Sequence, residues 1–553
     1  MSIRHLASAL ALIGALAMLS GSYMAHRVQT QDGEISVTDL RFTSAGGHSM
    51  SALLYLPPGA SATHRVPGIL AVHGYINSRE TQSAFAIELA RRGHAVLALD
   101  QTGHGFSAPP AFGNGFGGPD GLAELRSLPM VDPDQIGLNG HSMGGWAVLT
   151  AAASDPDGYR SMVLAGSGPG LFGAPEATPG FPRNLAVIFS AYDEFSELMW
   201  QVPTGAAVIG SERLAKVFDT TPPMQPGEVH GSIADGTARI LHVPPVTHPG
   251  DHLSEAATAR TVDWFARTLE GGKDLPADDQ VWFGKEVATG IALLGLLVFL
   301  PSMSVLGVAA PAGVASPSAA RWRFLPAALV PVLTYFPCFL LAQALAPSGG
   351  LWPQPITNGL MLWLLLNTAV TLALNVPRLH ALIPTREDGV PVLRVLLALG
   401  IGYAALAWVH ATWVVDWRFW VLALKPLAPW HWPILAASLP VLLLGFASIG
   451  LMLHPGLGHD PERPGVMVAR NVGVLAGPFL LLLILQYGGL FSGLPLPLGQ
   501  PLLTIVAIQF APVLAFVAIA STVLYQVWGR IWPGAVLNAG LVGWLVVAGT
   551  ATT

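Results

Sequence analysis

Charged side chains are scarce in this sequence. Only 11% of its 553 residues are Asp, Glu, Lys or Arg, whereas a soluble globular domain carries about 25%. The shortage is confined to one half: residues 1–283 hold 16 basic and 27 acidic residues, and residues 284–553 hold only 11 and 6. We therefore predict an acidic globular half followed by an apolar half that faces a different solvent.

Cysteine is almost absent, and so are runs of basic residues. The single cysteine, Cys338, excludes an intrachain disulfide, a multi-cysteine metal cluster and a redox pair. No Lys/Arg-rich stretch suggests nucleic acid as a partner. The sequence indicates neither a cofactor nor a metal ion.

An uncharged segment opens the chain. Residues 6–25 lie between Arg4 and Arg27 and contain no charge, and about 20 apolar residues are enough to cross a bilayer as a helix. We predict that residues 1–29 form a signal anchor. A cleaved signal peptide is the alternative, because small residues occur at 20–22, and a buried core helix is a third interpretation. Both signal interpretations place the following residues outside the cytoplasm.

The globular half alternates strand and helix patterns. "ISVTDLRFTS" and "HSMSALLYLP" read as a hairpin, and "VPGILAVHGY" is a continuous apolar run, typical of a strand buried on both faces. Further strands are predicted in "HAVLALD", "IGLNGHS", "SMVLAGSG", "NLAVIFSAYD" and "ARILHVPP". Strands that alternate with helices predict a mostly parallel sheet flanked by helices.

Two of the predicted helices have recognisable ends. "NSRETQSAFAIELARRG" is amphipathic and opens with Asn77 and Glu80, which resembles a capping box, and closes at Gly93. "SEAATARTVDWFARTLEG" is a closing helix capped by Ser254.

The stretch "IGLNGHSMGG" (136–145) carries the chemistry. It places a G-x-S-x-G pattern between a buried strand and a helix, which is the context of a nucleophile elbow. Gly140 and Gly144 leave room where strand and helix crowd together, and Ser142 is then exposed on a strained turn. The N-terminus of the following helix favours the negative charge that develops during acyl transfer.

These motifs resemble the α/β-hydrolase superfamily over residues 35–271. "VDPDQIGLNGHSMGG" is similar to its dienelactone-hydrolase and serine-peptidase-like branches, and "AVHGY" and "LALDQTGHGFS" match turns of the superfamily. The resemblance implies an α/β-hydrolase domain over residues 30–275, and a serine activated by a histidine and an acid in the order Ser, acid, His.

Two residues are candidates for each partner of Ser142. Asp193, at the end of "NLAVIFSAYD", is the preferred acid, with Glu194 in reserve and a solvated loop carboxylate as the alternative to both. His248, just beyond the last strand, is preferred over His252 as the base. The resemblance implies an oxyanion hole formed by the backbone N–H groups of Tyr75 and Met143.

Three polar residues near these motifs are expected to support the site. We expect His141 to pack beneath the elbow, His73 to shape the oxyanion turn and Asp100 to bind turn amides. About 45 residues separate Asp193 from the last strand, which is long for a connection. We expect this segment to cover the pocket and set specificity, and a surface helix without substrate contact is the alternative.

Residues 284–553 read as an all-α transmembrane domain of about eight helices. Each apolar stretch is near the length of a membrane span, whereas 419–432 is too short and suits an interfacial segment. The predicted stretches are 287–308, 325–346, 356–376, 392–415, 433–453, 471–491, 502–525 and 534–550. A transport function lacks support, because no clear Asp or Glu occurs in the middle of a predicted span and His410 is the only titratable side chain near one.

Arginines fall mainly in alternate loops of the apolar half. Arg321, Arg378, Arg463 and Arg530 lie in or near loops one, three, five and seven, whereas loops two and six carry no basic residue and loop four holds only Arg418 and Lys425. The positive-inside rule places the odd loops in the cytoplasm and the globular half outside, in agreement with Arg4 before the first apolar stretch. We expect an inner-membrane protein with an extracytoplasmic hydrolase domain.

The sequence leaves three hypotheses for function. The first is a membrane-anchored serine hydrolase that cleaves an ester, thioester or amide of a small-molecule or lipid-like substrate, with an esterase or lipase favoured over a peptidase. The second is an acyltransferase that uses a membrane acceptor in place of water. The third is a non-enzymatic transport or sensor protein with a relict hydrolase domain.

Overall fold

The computed structural model describes residues 3–308, 321–346, 350, 352–455, 457–458 and 462–553. The chain divides into two compact units. The sheet unit comprises Met24–Val287, Tyr487–Pro501 and Gly549–Thr553, and the helical unit comprises Met1–Tyr23, Ala288–Gln486 and Leu502–Ala548. The first two residues of the predicted N-terminal segment lie outside the described residues.

One nine-stranded sheet forms the centre of the sheet unit. Its strands lie in the order β1-β2-β4-β3-β5-β6-β7-β9-β8. Pairing is parallel from β4 through β3, β5, β6 and β7 to β9, and antiparallel at both edges. The predicted mostly parallel sheet is confirmed. The strands are β1 (Ser36–Thr43), β2 (Ser49–Leu56), β3 (Val66–Val72), β4 (Ala95–Asp100), β5 (Val131–His141), β6 (Ser161–Ala165), β7 (Leu185–Ile188), β8 (Val229–His230) and β9 (Arg239–His242).

Burial of the central strands explains their apolar sequences. Every residue of β3 and β4 is buried, because parallel strands with helices on both faces have no solvent side. The predicted hairpin is also present, with β1 and β2 paired from Ser36 opposite Leu56 to Thr43 opposite Ser49.

The strand order changes direction at β3. The chain leaves β3, forms β4 on one side of it, and then returns to form β5 on the other side. The connections that follow β3 and β5 therefore leave the sheet in opposite directions and form a crevice at the strand ends, and this is the position where open α/β sheets bind ligands. Gly74 follows β3 and Ser142 follows β5, so the predicted oxyanion turn and the predicted nucleophile both lie at this crevice.

Helices of the sheet unit pack in pairs, α2 against α7 and α3 against α4. Because the crossovers from β3 to β4 and from β4 to β5 run in opposite directions, right-handed connections put α2 and α3 on opposite faces. The predicted cap of α7 is present, since the Ser254 hydroxyl accepts a hydrogen bond from the Ala257 N–H. The helices are α2 (Ser83–Arg91), α3 (Gly118–Ser127), α4 (Met143–Ser154), α5 (Ser196–Trp200), α6 (Glu212–Val217) and α7 (Glu255–Thr268).

The predicted start of α2 is wrong. Asn77 does not cap it, because its side-chain amide donates to the Tyr75 carbonyl, and α2 begins only at Ser83 after a 3₁₀ turn. The buried Arg79 explains the delay. Its backbone N–H donates to Asp100 at 2.8 Å, and this bond holds the segment against the end of β4 rather than in a first helical turn. Residues 83–90 are all buried, so both faces of α2 are covered by the rest of the protein.

Within the described residues, eight helices are long and apolar enough to cross a membrane, and one bent helix pair could form a ninth span. These helices are compatible with a helical transmembrane domain. They are α1 (Ile3–Gln29), α8 (Phe283–Ser304), α9 (Phe324–Leu345), α10 (Pro355–Leu374), α11 (Gly389–Trp413), α12 (His431–Leu453), the pair α13 (Pro464–Leu475) and α14 (Gly477–Phe491), α15 (Pro501–Trp528) and α16 (Trp532–Gly549).

The bent pair occupies the predicted stretch 471–491, which is therefore not one straight helix. The bend between α13 and α14 is 45°, and it falls at Gly477 and Pro478. A proline ring clashes with the carbonyl four residues earlier and disfavours helical geometry at the residue before it. This clash accounts for the break.

The short segment 419–432 does not form a spanning helix. Strands β10 (Trp417–Phe419) and β11 (Leu422–Leu424) pair as a small antiparallel hairpin in the helical unit. Trp417 is buried and its indole N–H donates to the Ser22 hydroxyl at 2.8 Å. Strand pairing satisfies backbone groups that an irregular segment would leave unpaired in an apolar environment.

Candidate active site

Ser142 occupies a sharp turn between β5 and α4. Its backbone has φ 54° and ψ −124°, a conformation that costs of order 1–3 kcal/mol for a residue with a side chain. The flanking glycines permit this turn. A β-carbon at Gly140 would lie 2.4 Å from the Gly144 carbonyl oxygen, and one at Gly144 would lie 2.1 Å from the Val72 carbonyl oxygen. The predicted elbow geometry is therefore present.

Two hydrogen bonds hold the strained turn in place. The Ser142 N–H donates to the Ala165 carbonyl at 2.9 Å, and the Ser167 hydroxyl donates to the Ser142 carbonyl at 2.8 Å. Both partners belong to β6 or its following loop. The Ser142 backbone is thus fixed, while its side chain remains partly exposed.

His248 and Asp193 form a buried pair. The Nδ1 atom of His248 lies 2.8 Å from the Asp193 Oδ2 atom, and the two side chains are 5% and 0% exposed. Asp193 follows β7 and His248 follows β9, so the adjacent ends of parallel strands bring them together. A carboxylate on Nδ1 keeps the proton there and leaves Nε2 available as a base.

The charges around His248 favour its protonated form. Burial lowers the pKa of its imidazole, but Asp193, Glu194 and Asp251 outweigh burial and raise this pKa to about 9. The pair is therefore built to stabilise an imidazolium, which is the species formed when a serine gives up its proton.

The end of β6 lies between the serine and the histidine. Ser142 is bound to Ala165, the last residue of β6, and a β-carbon at the next residue, Gly166, would lie 3.0 Å from the His248 Nδ1 atom. Gly166 has a φ of 55°, so both conformation and space restrict this position. Ser142 and His248 are both neighbours of this one strand end.

The predicted oxyanion turn lies directly against the elbow. A β-carbon at Gly74 would lie 2.9 Å from the Ser142 Cβ atom, which brings the backbone of the next residue, Tyr75, close to the serine. Met143 is the first residue of α4, and the first N–H groups of a helix have no intrahelical acceptor. The two backbone segments predicted to bind an oxyanion are therefore adjacent to Ser142.

His73 and Asp100 support this turn rather than face the serine. The His73 imidazole contacts the Gly74 carbonyl at 2.7 Å and accepts the Gln101 N–H at 3.1 Å. Asp100 is fully buried and accepts the backbone N–H groups of Arg79 and Phe106 at 2.8 and 3.0 Å. These contacts agree with the shaping and amide-binding roles expected of the two residues.

The other candidates occupy different positions. His141 is buried, and its Nε2 atom lies 3.1 Å from the His248 carbonyl oxygen. His252 lies against His141, with ring centroids 4.0 Å apart, whereas it is His248 that pairs with Asp193. Glu194, the reserve acid, accepts the backbone N–H of His248 at 2.8 Å. Glu194 therefore binds the main chain of the histidine and Asp193 binds its ring.

The family comparison agrees with this geometry. Residues 67–189 match the family model described as alpha/beta hydrolase fold, a range that contains the oxyanion turn and the elbow. The globular half has the α/β-hydrolase fold. The fold and the family match support a hydrolase.

Solved structures similar to this chain include three hydrolases. A dienelactone hydrolase from Anabaena variabilis is 21% identical, with a TM-score of 0.31, and the match covers 43% of this chain and 100% of that one. Esterase Pf2001 of Pyrococcus furiosus is 17% identical, with 43% and 95% covered and a TM-score of 0.31. The α/β hydrolase GrgF from Penicillium sp. is 14% identical, with 42% and 99% covered and a TM-score of 0.30. Among the curated proteins compared, none matches the chain.

The long segment between Asp193 and β9 packs into the sheet unit. Phe195 lies against His248 with ring centroids 4.7 Å apart. Trp200 is fully buried and its indole N–H donates to the Ser167 carbonyl at 3.1 Å. The segment thus contacts both the histidine and the loop that holds Ser142, and its predicted role in specificity stays a prediction.

Two contacts near the site come from far along the chain. The Tyr487 hydroxyl donates to the Glu194 carboxylate at 2.6 Å. Thr552 exchanges backbone hydrogen bonds with the loop after β4, donating to the Gly103 carbonyl and accepting the Ala111 N–H, both at 2.8 Å. Neither residue belongs to a motif, so the sequence offered no signal for these contacts.

Proposed function

We propose that this protein is a membrane-anchored serine hydrolase that cleaves an ester through an acyl-enzyme intermediate. The observation that carries the proposal is the strained elbow at Ser142 combined with the buried His248–Asp193 pair at the neighbouring strand ends. A serine hydroxyl is a weak nucleophile and needs such a base, oriented by a carboxylate, to react at neutral pH.

In the proposed reaction, the Ser142 hydroxyl oxygen attacks the substrate carbonyl carbon while His248 takes the hydroxyl proton. The N–H groups of Tyr75 and Met143 stabilise the oxyanion of the tetrahedral intermediate. His248 then protonates the leaving alcohol as the ester bond breaks. Water, activated by the same histidine, attacks the acyl-enzyme, and release of the acid restores Ser142.

Apolar side chains around the site favour a substrate with an apolar acyl group. Phe195 lies against His248, and Phe112 lies 5.6 Å from the Tyr75 ring between centroids. Phe172, in the loop after β6, is 69% exposed and lies against Trp146 of α4. Exposed aromatic side chains of this kind offer an apolar acyl chain a place to bind.

The proposed location follows from the charges of the loops and the apolar helices. α1 would act as a signal anchor, the loops that contain Arg378 and Arg463 would lie in the cytoplasm, and the hydrolase domain would lie outside the inner membrane. The bilayer and a lipid-like or small-molecule acyl substrate are the proposed partners.

A substrate panel tests the proposed reaction. The full chain in detergent micelles is assayed with p-nitrophenyl esters of increasing acyl length and with peptide p-nitroanilides, alongside Ser142→Ala and the exposed control Ser154→Ala. We expect ester cleavage by the wild type and the control, none by Ser142→Ala, and weak or no amide cleavage. Preferential cleavage of amides would indicate a peptidase rather than an esterase. Turnover by Ser142→Ala equal to that of the wild type would overturn the serine mechanism.

A further inference from the structure

Glu194 is a buried carboxylate that the proposed reaction does not use. It directly follows Asp193 in the chain and is 7% exposed. It accepts two hydrogen bonds, one from the backbone N–H of His248 at 2.8 Å and one from the Tyr487 hydroxyl at 2.6 Å. A continuous path of hydrogen bonds therefore joins Tyr487 to the main chain of the catalytic histidine.

Tyr487 lies in the last turns of α14, and a second side chain of this helix reaches the same loop. Phe491 follows Tyr487 by four residues, which places both on one side of the helix. The Phe491 ring packs edge-to-face on Tyr192, with centroids 5.0 Å apart. The end of α14 thus contacts the residues immediately before and after Asp193.

The loop that carries Asp193 also forms backbone hydrogen bonds within itself and to the segment after β9. It lies beyond the end of β7 at Ile188, and its backbone bonds include those of Tyr192 to Val246 and of Asp193 to Ser190, both at 3.1 Å. A catalytic acid has to be held within about half an ångström of its productive position. Contacts on both sides of Asp193 would provide such a restraint.

We propose that Tyr487 is a positioning residue for the catalytic histidine, acting through Glu194, and that Phe491 holds the adjacent turn. The end of α14 is then part of the catalytic apparatus of this hydrolase. This proposal rests on the proposed function, since it assigns Tyr487 a role toward the same triad.

The Tyr487 hydroxyl affects the ionisation of Glu194, and the charge of Glu194 in turn favours the protonated form of His248. The groups that face His248 or Glu194 are Asp193, Asp251, His141 and Tyr487. Burial and the charge of Asp193 raise the pKa of Glu194 to about 7, and the Tyr487 hydroxyl opposes this rise. Without that hydroxyl the pKa of Glu194 rises further, so Glu194 carries less charge near neutral pH and stabilises the His248 imidazolium less there.

The test compares Tyr487→Phe with a matched loss of a buried hydroxyl elsewhere. In Tyr335→Phe, the lost hydroxyl donates to the Leu503 carbonyl at 2.8 Å in the helical unit. The full chain in detergent micelles is assayed with a p-nitrophenyl ester from pH 5 to pH 10. We expect Tyr487→Phe to lower kcat about tenfold, equivalent to about 1.4 kcal/mol, with KM changed less than twofold. Tyr335→Phe should change neither kcat nor KM.

A double-mutant cycle with Glu194→Gln distinguishes action through Glu194 from a general loss of structure. If Tyr487 acts through Glu194, the double variant is no slower than Glu194→Gln alone. The fraction of each variant that a fluorophosphonate labels reports how much of the protein retains a folded site. Multiplied losses in the double variant, or a wild-type kcat in Tyr487→Phe, would overturn the proposal.

The same series separates this proposal from the proposed function. If Ser142→Ala still cleaves the ester, the serine mechanism fails and the role of Tyr487 fails with it. If Ser142→Ala is inactive while Tyr487→Phe behaves as Tyr335→Phe does, the serine mechanism stands and only the positioning role is rejected.

Discussion

Replacing Asp193 by Asn should abolish the proposed ester cleavage without disturbing the fold. The substitution keeps the size of the side chain but removes the charge that lies 2.8 Å from the His248 Nδ1 atom. An asparagine amide can also donate to Nδ1, and this places the imidazole proton on Nε2, where the base is needed. Loss of the correct tautomer costs a serine hydrolase on the order of 10⁴-fold in kcat.

The electrostatic part of this effect can be estimated from the shift at His248. A pKa raised from 6.5 to about 9 corresponds to about 3 kcal/mol in favour of the imidazolium, and Asp193 is the largest source of the rise. A base must be neutral to accept a proton, so the wild-type kcat/KM should increase with pH toward about 9. In Asp193→Asn the pKa of His248 falls, and the rising limb of the kcat/KM profile moves to lower pH.

The assay is p-nitrophenyl ester turnover from pH 5 to pH 10, with Asp274→Asn as an exposed control from the linker after α7. We expect the control to match the wild type. An Asp193→Asn enzyme that keeps more than about a tenth of kcat, or whose limb stays at the wild-type pH, would refute the role of the pair. Circular dichroism of both variants excludes misfolding as the cause.

Two further predictions rest on specific contacts, and a third rests on the charges of the loops. His248→Ala should lower ester turnover by more than a thousandfold and His252→Ala by less than tenfold; the reverse order would mean that the base is misassigned. Ser254→Ala should lower the free energy of unfolding of the hydrolase domain by about 1 kcal/mol, because it removes the cap of α7, and an unchanged denaturant midpoint would contradict the cap. In a Cys338→Ala background, a membrane-impermeant maleimide on intact cells should label a cysteine at Ser127 but not one at Ile383, which is labelled only in opened membranes. Labelling at Ile383 in intact cells would reject the proposed orientation.

The strand and elbow geometry could be read from the sequence because local rules determine it. Continuous apolar runs correspond to β3 and β4, where helices cover both faces, and Gly140 is required by the carbonyl oxygen of Gly144, only four residues away. The cap at Ser254 is likewise a contact between residues three positions apart. Features of this kind need no knowledge of the tertiary structure.

Features that depend on distant partners could not be predicted. Arg79 delays the start of α2, because its backbone N–H binds Asp100 at the end of β4. A local capping pattern therefore predicts the wrong first residue for this helix. α3 and β8 were not predicted: α3 is rich in glycine and charged residues, and β8 is only two residues long. The contact of Tyr487 with Glu194 joins residues 293 positions apart, and no periodicity or motif encodes such a contact.

The most direct test of the central claim is to locate a covalent adduct on the proposed nucleophile. The full chain is treated with a fluorophosphonate, its intact mass is measured, and the modified peptide is sequenced by tandem mass spectrometry. We predict a single phosphonyl group on Ser142, no adduct in Ser142→Ala, and a loss of ester turnover on the order of 10⁶-fold in that variant. An adduct on another residue, or undiminished labelling and turnover in Ser142→Ala, would contradict the account.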